Sequence, residues 1–132
     1  MVEIEAIHHT AVIVGDLERA MAFYGVVLGL PAIDRPPFPF GGAWYQVGAH
    51  QQLHLIVYPE AQTVRDRPSI DPRDGHFAIR VASYARTLAH LQANGIACRE
   101  LPENITPWAQ IYVTDPDGNI IEFNADRSTV AA

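Results

Sequence analysis

Four side chains with metal-binding chemistry occupy two pairs of matching positions along the sequence. An offset of 67 positions places His9 on His76, and one further residue of slack places His54 on Glu122. Imidazole nitrogens and carboxylate oxygens are the donors that Zn, Ni, Co, Mn and Fe ions take in proteins. We therefore expect His9, His54, His76 and Glu122 to bind one divalent metal ion.

Taken singly, each of these residues has a simpler explanation, because a lone histidine on a strand is more often a hydrogen-bonded structural group. The coincidence of four at repeated positions favours the metal. His8 and His9 must be separated, since neighbours on a strand point to opposite faces. His9 lies seven residues before Asp16, as His76 lies seven before Ser83, so we assign His9 as the ligand.

The elements that carry these residues are predicted twice, in the same order. The strand signals fall on residues 7–14, 30–33, 44–47 and 53–58, and again on 76–81, 96–101, 109–114 and 120–124. A helix follows each first strand, after the candidate N-caps Asp16 and Ser83. We expect an α+β fold of paired β-α-β-β-β modules that form a cupped mixed sheet. The predicted boundaries are a single domain over 1–132, modules over 4–58 and 75–125, and a linker over 59–74.

The pattern of alternating residues tests whether the candidate ligands avoid the core. His54 alternates with Leu53 and Leu55, and Glu122 alternates with Ile121, so each polar group falls on the face opposite an apolar set. A polar side chain on the non-core face of a strand fits a ligand that lines a cup. Glu122 could also serve as a base if it leaves the metal during turnover.

Composition limits the possible partners and compartment. Nine basic against fifteen acidic residues give a formal charge of −6, which argues against nucleic acid and anionic membranes as partners. No apolar run approaches the ~20 residues that span a bilayer, and the acidic N-terminus does not resemble a signal peptide. A single cysteine, Cys98, fits the reducing cytoplasm. We expect a cytoplasmic protein whose partner is a small-molecule substrate.

Five further side chains lie where they could contact that substrate: Trp44, Tyr45, Arg80, Gln110 and Tyr112. Trp44 and Tyr45 precede the His54 strand and either line the site or belong to the core. Arg80 shares its strand parity with His76 and either pairs with a carboxylate or phosphate or remains solvated. Gln110 and Tyr112 lie on the strand that precedes Glu122.

Sequence segments spread over nearly the whole chain resemble the vicinal oxygen chelate superfamily. The superfamily includes glyoxalase I, methylmalonyl-CoA epimerase, extradiol dioxygenases, and fosfomycin- and bleomycin-resistance proteins. The matching segments are His9-Thr-Ala-Val-Ile-Val-Gly-Asp-Leu-Glu-Arg, Phe23-Tyr24, Leu28-Gly29-Leu30, Leu53-His54-Leu55, Gly75-His76-Phe77-Ala78 and Asp115-Pro-Asp-Gly-Asn-Ile-Ile-Glu122-Phe.

The resemblance implies paired modules around a divalent ion, with His9, His54, His76 and Glu122 at the ligand positions. The sequence departs from the pattern at the second position, where glyoxalase I commonly has Glu and the epimerase Gln. The stretch Gly42-Ala43-Trp44-Tyr45, with His54, looks most like small bacterial glyoxalase-like proteins. Small members of the superfamily usually form homodimers, sometimes by exchanging modules.

We expect a metal-dependent lyase or isomerase of glyoxalase type. It would act on a small substrate with vicinal oxygens through a metal-stabilised enolate. One alternative is an iron-dependent ring-cleaving dioxygenase. The other is a non-catalytic protein that binds a small molecule such as an antibiotic. The bleomycin-resistance proteins lack the metal ligands, so the four candidate ligands count against this last alternative.

Overall fold

A computed structural model of the chain describes residues 1–60 and 70–131. Its backbone divides into two compact units, one in each half of the chain. Most of the predicted linker, residues 61–69, lies outside the described residues. Within the described part of the chain, no helix is long and apolar enough to cross a membrane.

The first unit is a four-stranded mixed sheet with one helix. Its elements are β1 (His9–Val14), α1 (Leu17–Met21), which continues as a π-helical segment (Ala22–Val27), β2 (Ala32–Ile33), β3 (Gly42–Val47) and β4 (Gln51–Val57). The strand order is β1-β4-β3-β2. β1 runs parallel to β4, and the other neighbouring pairs are antiparallel.

The second unit repeats this arrangement. Its elements are β5 (His76–Arg80), α2 (Tyr84–Ala93), β6 (Arg99–Leu101), β7 (Trp108–Thr114), β8 (Ile120–Asp126) and a 3-10 turn (Arg127–Thr129). The strand order is β5-β8-β7-β6, with β5 parallel to β8. The expected α+β class, built from two β-α-β-β-β modules, is confirmed.

The helix boundaries follow from the capping residues. The side chains of Asp16 and Ser83 each accept a hydrogen bond from the backbone N–H three residues on, at 2.8 and 3.2 Å. These bonds satisfy N–H groups that have no partner inside the helix. Gly29 and Gly95 have positive φ angles of 71° and 72° just after the helices, a conformation that glycine adopts without strain.

The first helix departs from the expected α-helix at its midpoint. From Ala22 the turns widen, and the N–H of Leu28 donates to the carbonyl of Phe23, five residues back, at 2.9 Å. Phe23 and Tyr24 are both buried in this segment. The apolar spacing used to predict the helix assumes 3.6 residues per turn and cannot distinguish a π turn. The sequence pattern therefore predicted the helix but not this segment.

In each unit, one sheet face is apolar and packs beside the helix. Tyr45 and Leu53 are register partners on that face of the first sheet, and both are almost fully buried. Ile111 and Phe123 occupy the matching face of the second sheet. The opposite face of each sheet is therefore left for polar side chains.

Candidate functional site

The two pairs of candidate ligands occupy equivalent positions in the two sheets. His9 lies two residues before the β1 residue that pairs with His54. His76 lies two residues before the β5 residue that pairs with Glu122. Because side chains two residues apart on a strand share a face, each pair projects from the sheet face opposite the helix. The offset seen in the sequence is thus an offset between matching strand positions.

In the first unit, the imidazole of His54 is enclosed by two other rings. The His9 ring stacks on one side, with centroids 4.1 Å apart and planes 18° apart. The Trp44 ring stacks on the other, at 4.0 Å and 3°. His54 is only 7% exposed. Trp44 thus lies beside a candidate ligand, which supports the alternative that it lines the site rather than belonging to the core.

Hydrogen bonds and burial set the protonation of His54. Its Nε2 atom lies 2.8 Å from Oε1 of Gln52. Because an amide oxygen only accepts, Nε2 carries the hydrogen and Nδ1 keeps its lone pair. Burial lowers the pKa of His54, and the nearby His9, His8 and Arg35 lower it further. A neutral imidazole is the form that binds a metal ion.

In the second unit, His76 has the same kind of support. Its Nδ1 atom lies 2.8 Å from the backbone carbonyl of Asp74 and must donate to it. The Nε2 atom then faces the carboxylate of Glu122, whose Oε1 is 3.4 Å away. A positive charge, either a proton on Nε2 or a metal ion, fits between these two atoms.

The Glu122 carboxylate is held by three donors. The Tyr112 hydroxyl donates to Oε1 at 2.7 Å, and Nε2 of Gln110 donates to the same oxygen at 3.3 Å. Nδ2 of Asn124 donates to Oε2 at 2.9 Å. Burial acts to raise the pKa of Glu122, but these hydrogen bonds and the nearby His76 outweigh it and lower the pKa. The carboxylate is therefore ionised at neutral pH.

Three residues near the site were missed by the sequence analysis. Asn124 lies two residues from Glu122, so the strand parity could have identified it. The side chain of Arg80, a candidate substrate contact, is exposed and donates to Oδ1 of Asn124 at 3.2 Å. Gln52 also lies two residues from its partner, His54, so the same parity could have identified it. Arg99 pairs with Tyr112 across β6 and β7 and so lies on the Glu122 face, which the sequence alone could not show without the register.

The structure does not bring Tyr45 to the candidate site. Tyr45 pairs with Leu53, on the helix side of the sheet, and is 2% exposed. A Cβ atom at Gly25 would lie 3.2 Å from the Tyr45 hydroxyl, so the ring packs tightly against the helix. The alternative that Tyr45 belongs to the core is the one that this placement supports. Its neighbour Trp44 necessarily points to the other face.

The donor atoms fit a divalent ion in their chemistry. The 3.4 Å between Nε2 of His76 and Oε1 of Glu122 is less than two Zn–ligand bonds of about 2.1 Å each, so one ion can contact both atoms. The His9–His54 pair of the first unit offers imidazole nitrogens, which are donors of the same chemistry. Among residues 1–60 and 70–131, no three His, Cys, Asp or Glu side chains converge on one point.

Comparisons with known proteins agree with this architecture. The model of the Glyoxalase/Bleomycin resistance protein/Dioxygenase superfamily matches residues 6–123. The protein named Glyoxylase I 4 from Arabidopsis thaliana is 32% identical over 129 residues, which cover 95% of this chain and 74% of that protein. Lactoylglutathione lyase from Escherichia coli O157:H7 is 27% identical over 124 residues, covering 90% and 91%.

Among solved structures, a glyoxalase family protein from Bacillus anthracis superposes with a TM-score of 0.76 at 27% identity. The match covers 96% of this chain and 98% of that one. The family model alone spans most of the sequence, and the match to the Arabidopsis protein extends over nearly all of it. This chain therefore belongs to the glyoxalase/bleomycin resistance protein/dioxygenase superfamily.

Proposed function

We propose that this protein is a metal-dependent lyase or isomerase of glyoxalase type, acting on a small substrate with two neighbouring oxygens. One divalent ion (Zn, Ni, Co, Mn or Fe) is bound by His9, His54, His76 and Glu122. The observation that carries the proposal is the His76–Glu122 pair, in which an imidazole nitrogen faces a carboxylate oxygen at 3.4 Å. The stacked His9–His54 pair occupies the same positions of the other sheet.

The named relatives support this reaction class. Two proteins that resemble this chain over at least 90% of its length bear the names Glyoxylase I 4 and Lactoylglutathione lyase. His54 stands where glyoxalase I commonly has Glu and the epimerase Gln, and this difference counts against an assignment to glyoxalase I itself. The substrate need not be the one that those relatives' names imply.

The bound ion would supply Lewis-acid stabilisation of the negative charge that develops on the substrate oxygens. His9, His54 and His76 are neutral ligands when deprotonated, so only Glu122 offsets the charge of the ion. Glu122 is the proposed base, because its carboxylate is held ionised. It would act after leaving the ion, which His9, His54 and His76 would then hold.

A proton taken by Oε1 of Glu122 would occupy the position where Tyr112 now donates at 2.7 Å. The Tyr112 hydroxyl can then turn and accept a hydrogen bond from the protonated carboxyl, since a hydroxyl serves as donor and acceptor. Gln110 and Asn124 hold the carboxyl group in place meanwhile. Trp44, Arg80, Gln110 and Tyr112 are the proposed substrate-contacting residues.

We also propose that the protein works as a cytoplasmic homodimer. The low cysteine count and acidic composition support the compartment. The proposal of a dimer rests on the resemblance, because small members of the superfamily usually form homodimers. Sedimentation velocity measures the oligomeric state directly.

The test of the proposed function is metal content. Untagged protein purified without chelator is analysed by inductively coupled plasma mass spectrometry. We expect about one equivalent of Zn, Ni, Co or Mn per chain. One equivalent of iron, with oxygen uptake on addition of catechols, would move the assignment to the ring-cleaving dioxygenase. No metal, and none bound on titration, would contradict the site.

Single substitutions assign the metal to these residues. We expect His9→Ala, His76→Ala and Glu122→Gln each to lose the metal while the circular dichroism spectrum stays unchanged. Glu103→Gln is the matched control, because it neutralises an exposed carboxylate outside the site. Full metal retention in a variant that combines His76→Ala with Glu122→Gln would rule out this ligand set.

A further inference from the structure

Two phenylalanine rings are held exposed on the first unit by a rigid segment. Phe38 and Phe40 are 43% and 44% exposed, and their rings stack with centroids 5.3 Å apart. Prolines 36, 37 and 39 surround them, and each fixes its backbone φ angle. The N–H of Phe38 also donates to the carbonyl of Pro36 at 2.8 Å. These rings are therefore presented in a fixed arrangement.

Arg35 fastens this segment to the sheet. Its guanidinium carbon lies 5.1 Å from the centre of the Phe38 ring and 5.2 Å from that of Phe40. Nη2 donates to the carbonyl of Phe40 at 2.8 Å. Cation–π contacts of this length stabilise both rings. The guanidinium also sits against Gly42, where a Cβ atom would lie 2.9 Å from Nε and from Nη2 of Arg35.

The exposed rings are linked to a candidate metal ligand by a series of ring contacts. The Phe38 ring lies 6.1 Å from the Trp44 ring, and Trp44 stacks on His54 at 4.0 Å. We call Phe38, Phe40 and Trp44 the aromatic strip. The strip leads from solvent to a side chain that is 7% exposed. A molecule bound at His54 would therefore have an aromatic wall beside it.

We propose that the aromatic strip binds an aromatic ring of the substrate, so that the substrate class is an aryl compound with two neighbouring oxygens. This inference rests on the proposed function, because the oxygens must be bound by the metal site. Aromatic pairs gain from offset or edge contacts beyond the area they bury. Arg35 additionally places a positive charge beside the strip, which suits electron-rich rings and anionic oxygens.

The size of the strip argues for a small molecule rather than a second copy of the chain. Phe38 and Phe40 together expose less than one whole phenylalanine would. A stable interface between proteins buries about 800 Å² on each partner. The exposed area of Phe38 and Phe40 is too small for such an interface and is of the size that one aromatic ring would cover.

The experiment compares two ligands with the same pair of oxygens. Benzohydroxamate and acetohydroxamate both chelate a metal through vicinal oxygens, and they differ by a phenyl in place of a methyl group. Their dissociation constants are measured by calorimetry on the Zn-loaded protein. We expect benzohydroxamate to bind at least about tenfold more tightly, which is about 1.4 kcal/mol.

Variants locate the preference in the strip. A double variant with Phe38→Ala and Phe40→Ala should reduce the preference for benzohydroxamate by about tenfold and leave acetohydroxamate binding unchanged. A double variant with Phe38→Leu and Phe40→Leu should recover part of it, because area is restored without the ring faces. Tyr58→Ala is the matched control, since it removes an aromatic ring that is 52% exposed outside the strip.

Each contrary outcome has a distinct meaning. Equal binding of the two hydroxamates, or a preference that survives loss of both rings, would overturn the aryl inference and leave the metal site intact. Binding of neither hydroxamate would overturn the proposed function, and the aryl inference with it. A lower sedimentation coefficient in the Phe38→Ala, Phe40→Ala variant would identify the strip as an interface between copies and overturn the inference.

Discussion

The Nε2 atom of His76 lies 3.4 Å from Oε1 of Glu122, while Nδ1 of the same ring donates to the carbonyl of Asp74. The equivalent pair in the first sheet, His9 and His54, meets face to face instead. Only the second pair thus contains a carboxylate. That carboxylate is the one acidic side chain among the four candidate ligands, and it would supply the electrostatic attraction for a cation.

The attraction depends on how firmly the Glu122 carboxylate is held. Asn124→Ala removes the donor to Oε2 at 2.9 Å, so the carboxylate gains freedom to rotate. We expect the affinity for Zn²⁺ to fall about 10- to 100-fold, the usual effect of removing a partner of a metal ligand. Competition with a chromogenic chelator measures the affinity.

Arg80→Ala is the comparison for this variant. Arg80 contacts Asn124 but not Glu122, and it is exposed. We expect a change in zinc affinity of less than about threefold, because solvent can replace the bond to Asn124. A loss as large as that of Asn124→Ala would show that Arg80 is needed to orient the amide. Unchanged affinity in Asn124→Ala would mean that Gln110 and Tyr112 suffice.

The repeat of one strand and helix order in the two halves could be predicted from the sequence because the residue types repeat at the capping and candidate ligand positions. Asp16 and Ser83 both cap helices, and His9 and His76 both lie seven residues before them. Strand parity then separated ligand faces from core faces at His54. These are local regularities, and one sequence is enough to show them.

Other features depend on contacts between strands that no local pattern encodes. The position of Arg99 opposite Tyr112 requires the register of β6 against β7. The stack of Trp44 on His54 requires the register of β3 against β4. The alternation of side chains along a strand could have given one further prediction. Trp44 and Tyr45 are adjacent on a strand, so they could not both face the site.

Trp44 and Tyr45 should therefore respond differently to truncation. Tyr45→Ala leaves a cavity between sheet and helix, and we expect the free energy of unfolding to fall by about 3–5 kcal/mol. Trp44→Ala removes a partly exposed ring, so we expect a smaller loss of stability. Urea denaturation followed by circular dichroism measures both.

The same two variants differ in the site. Trp44→Ala should weaken benzohydroxamate binding to the Zn-loaded protein, whereas Tyr45→Phe should leave it unchanged because the ring stays in the core. Equal stability losses for Trp44→Ala and Tyr45→Ala would contradict the assigned faces.

Gly42 is required by the close approach of its neighbours. A Cβ atom there would lie 2.4 Å from the backbone oxygen of Leu55, and a backbone oxygen cannot rotate away. We expect Gly42→Ala to lower the free energy of unfolding by about 1–3 kcal/mol, the range for overpacking. Thermal and urea denaturation give the change.

Gly41→Ala is the neighbouring control. Its Cβ would lie 3.1 Å from a methyl group of Val57, which is a side-chain atom that can adjust. We expect Gly41→Ala to cost less than Gly42→Ala. If the order were reversed, the strand pairing around Gly42 would be looser than the structure shows.

Tyr84 provides a pH-dependent test of the second core. Burial, together with the negative charges of Glu100 and Cys98, raises the pKa of Tyr84 to about 12. The ordinary value is 10.0, so between these values the native state holds a proton that the unfolded chain releases. The stability due to this shift is present below about pH 10 and is lost as the pH rises toward 12.

We expect Tyr84→Phe to remove this component, because phenylalanine has no proton to lose. When the pH rises from about 8 to about 11, the free energy of unfolding should fall in both proteins. The fall should be smaller in the variant than in the wild type, by on the order of 1 kcal/mol. Tyr58→Phe, at an exposed tyrosine, should behave as the wild type. Parallel losses in Tyr84→Phe and the wild type would mean that the Tyr84 hydroxyl ionises as easily in the native state as in the unfolded chain. Solvent would then have to reach the Tyr84 ring, which would contradict its 3% exposure in the structure.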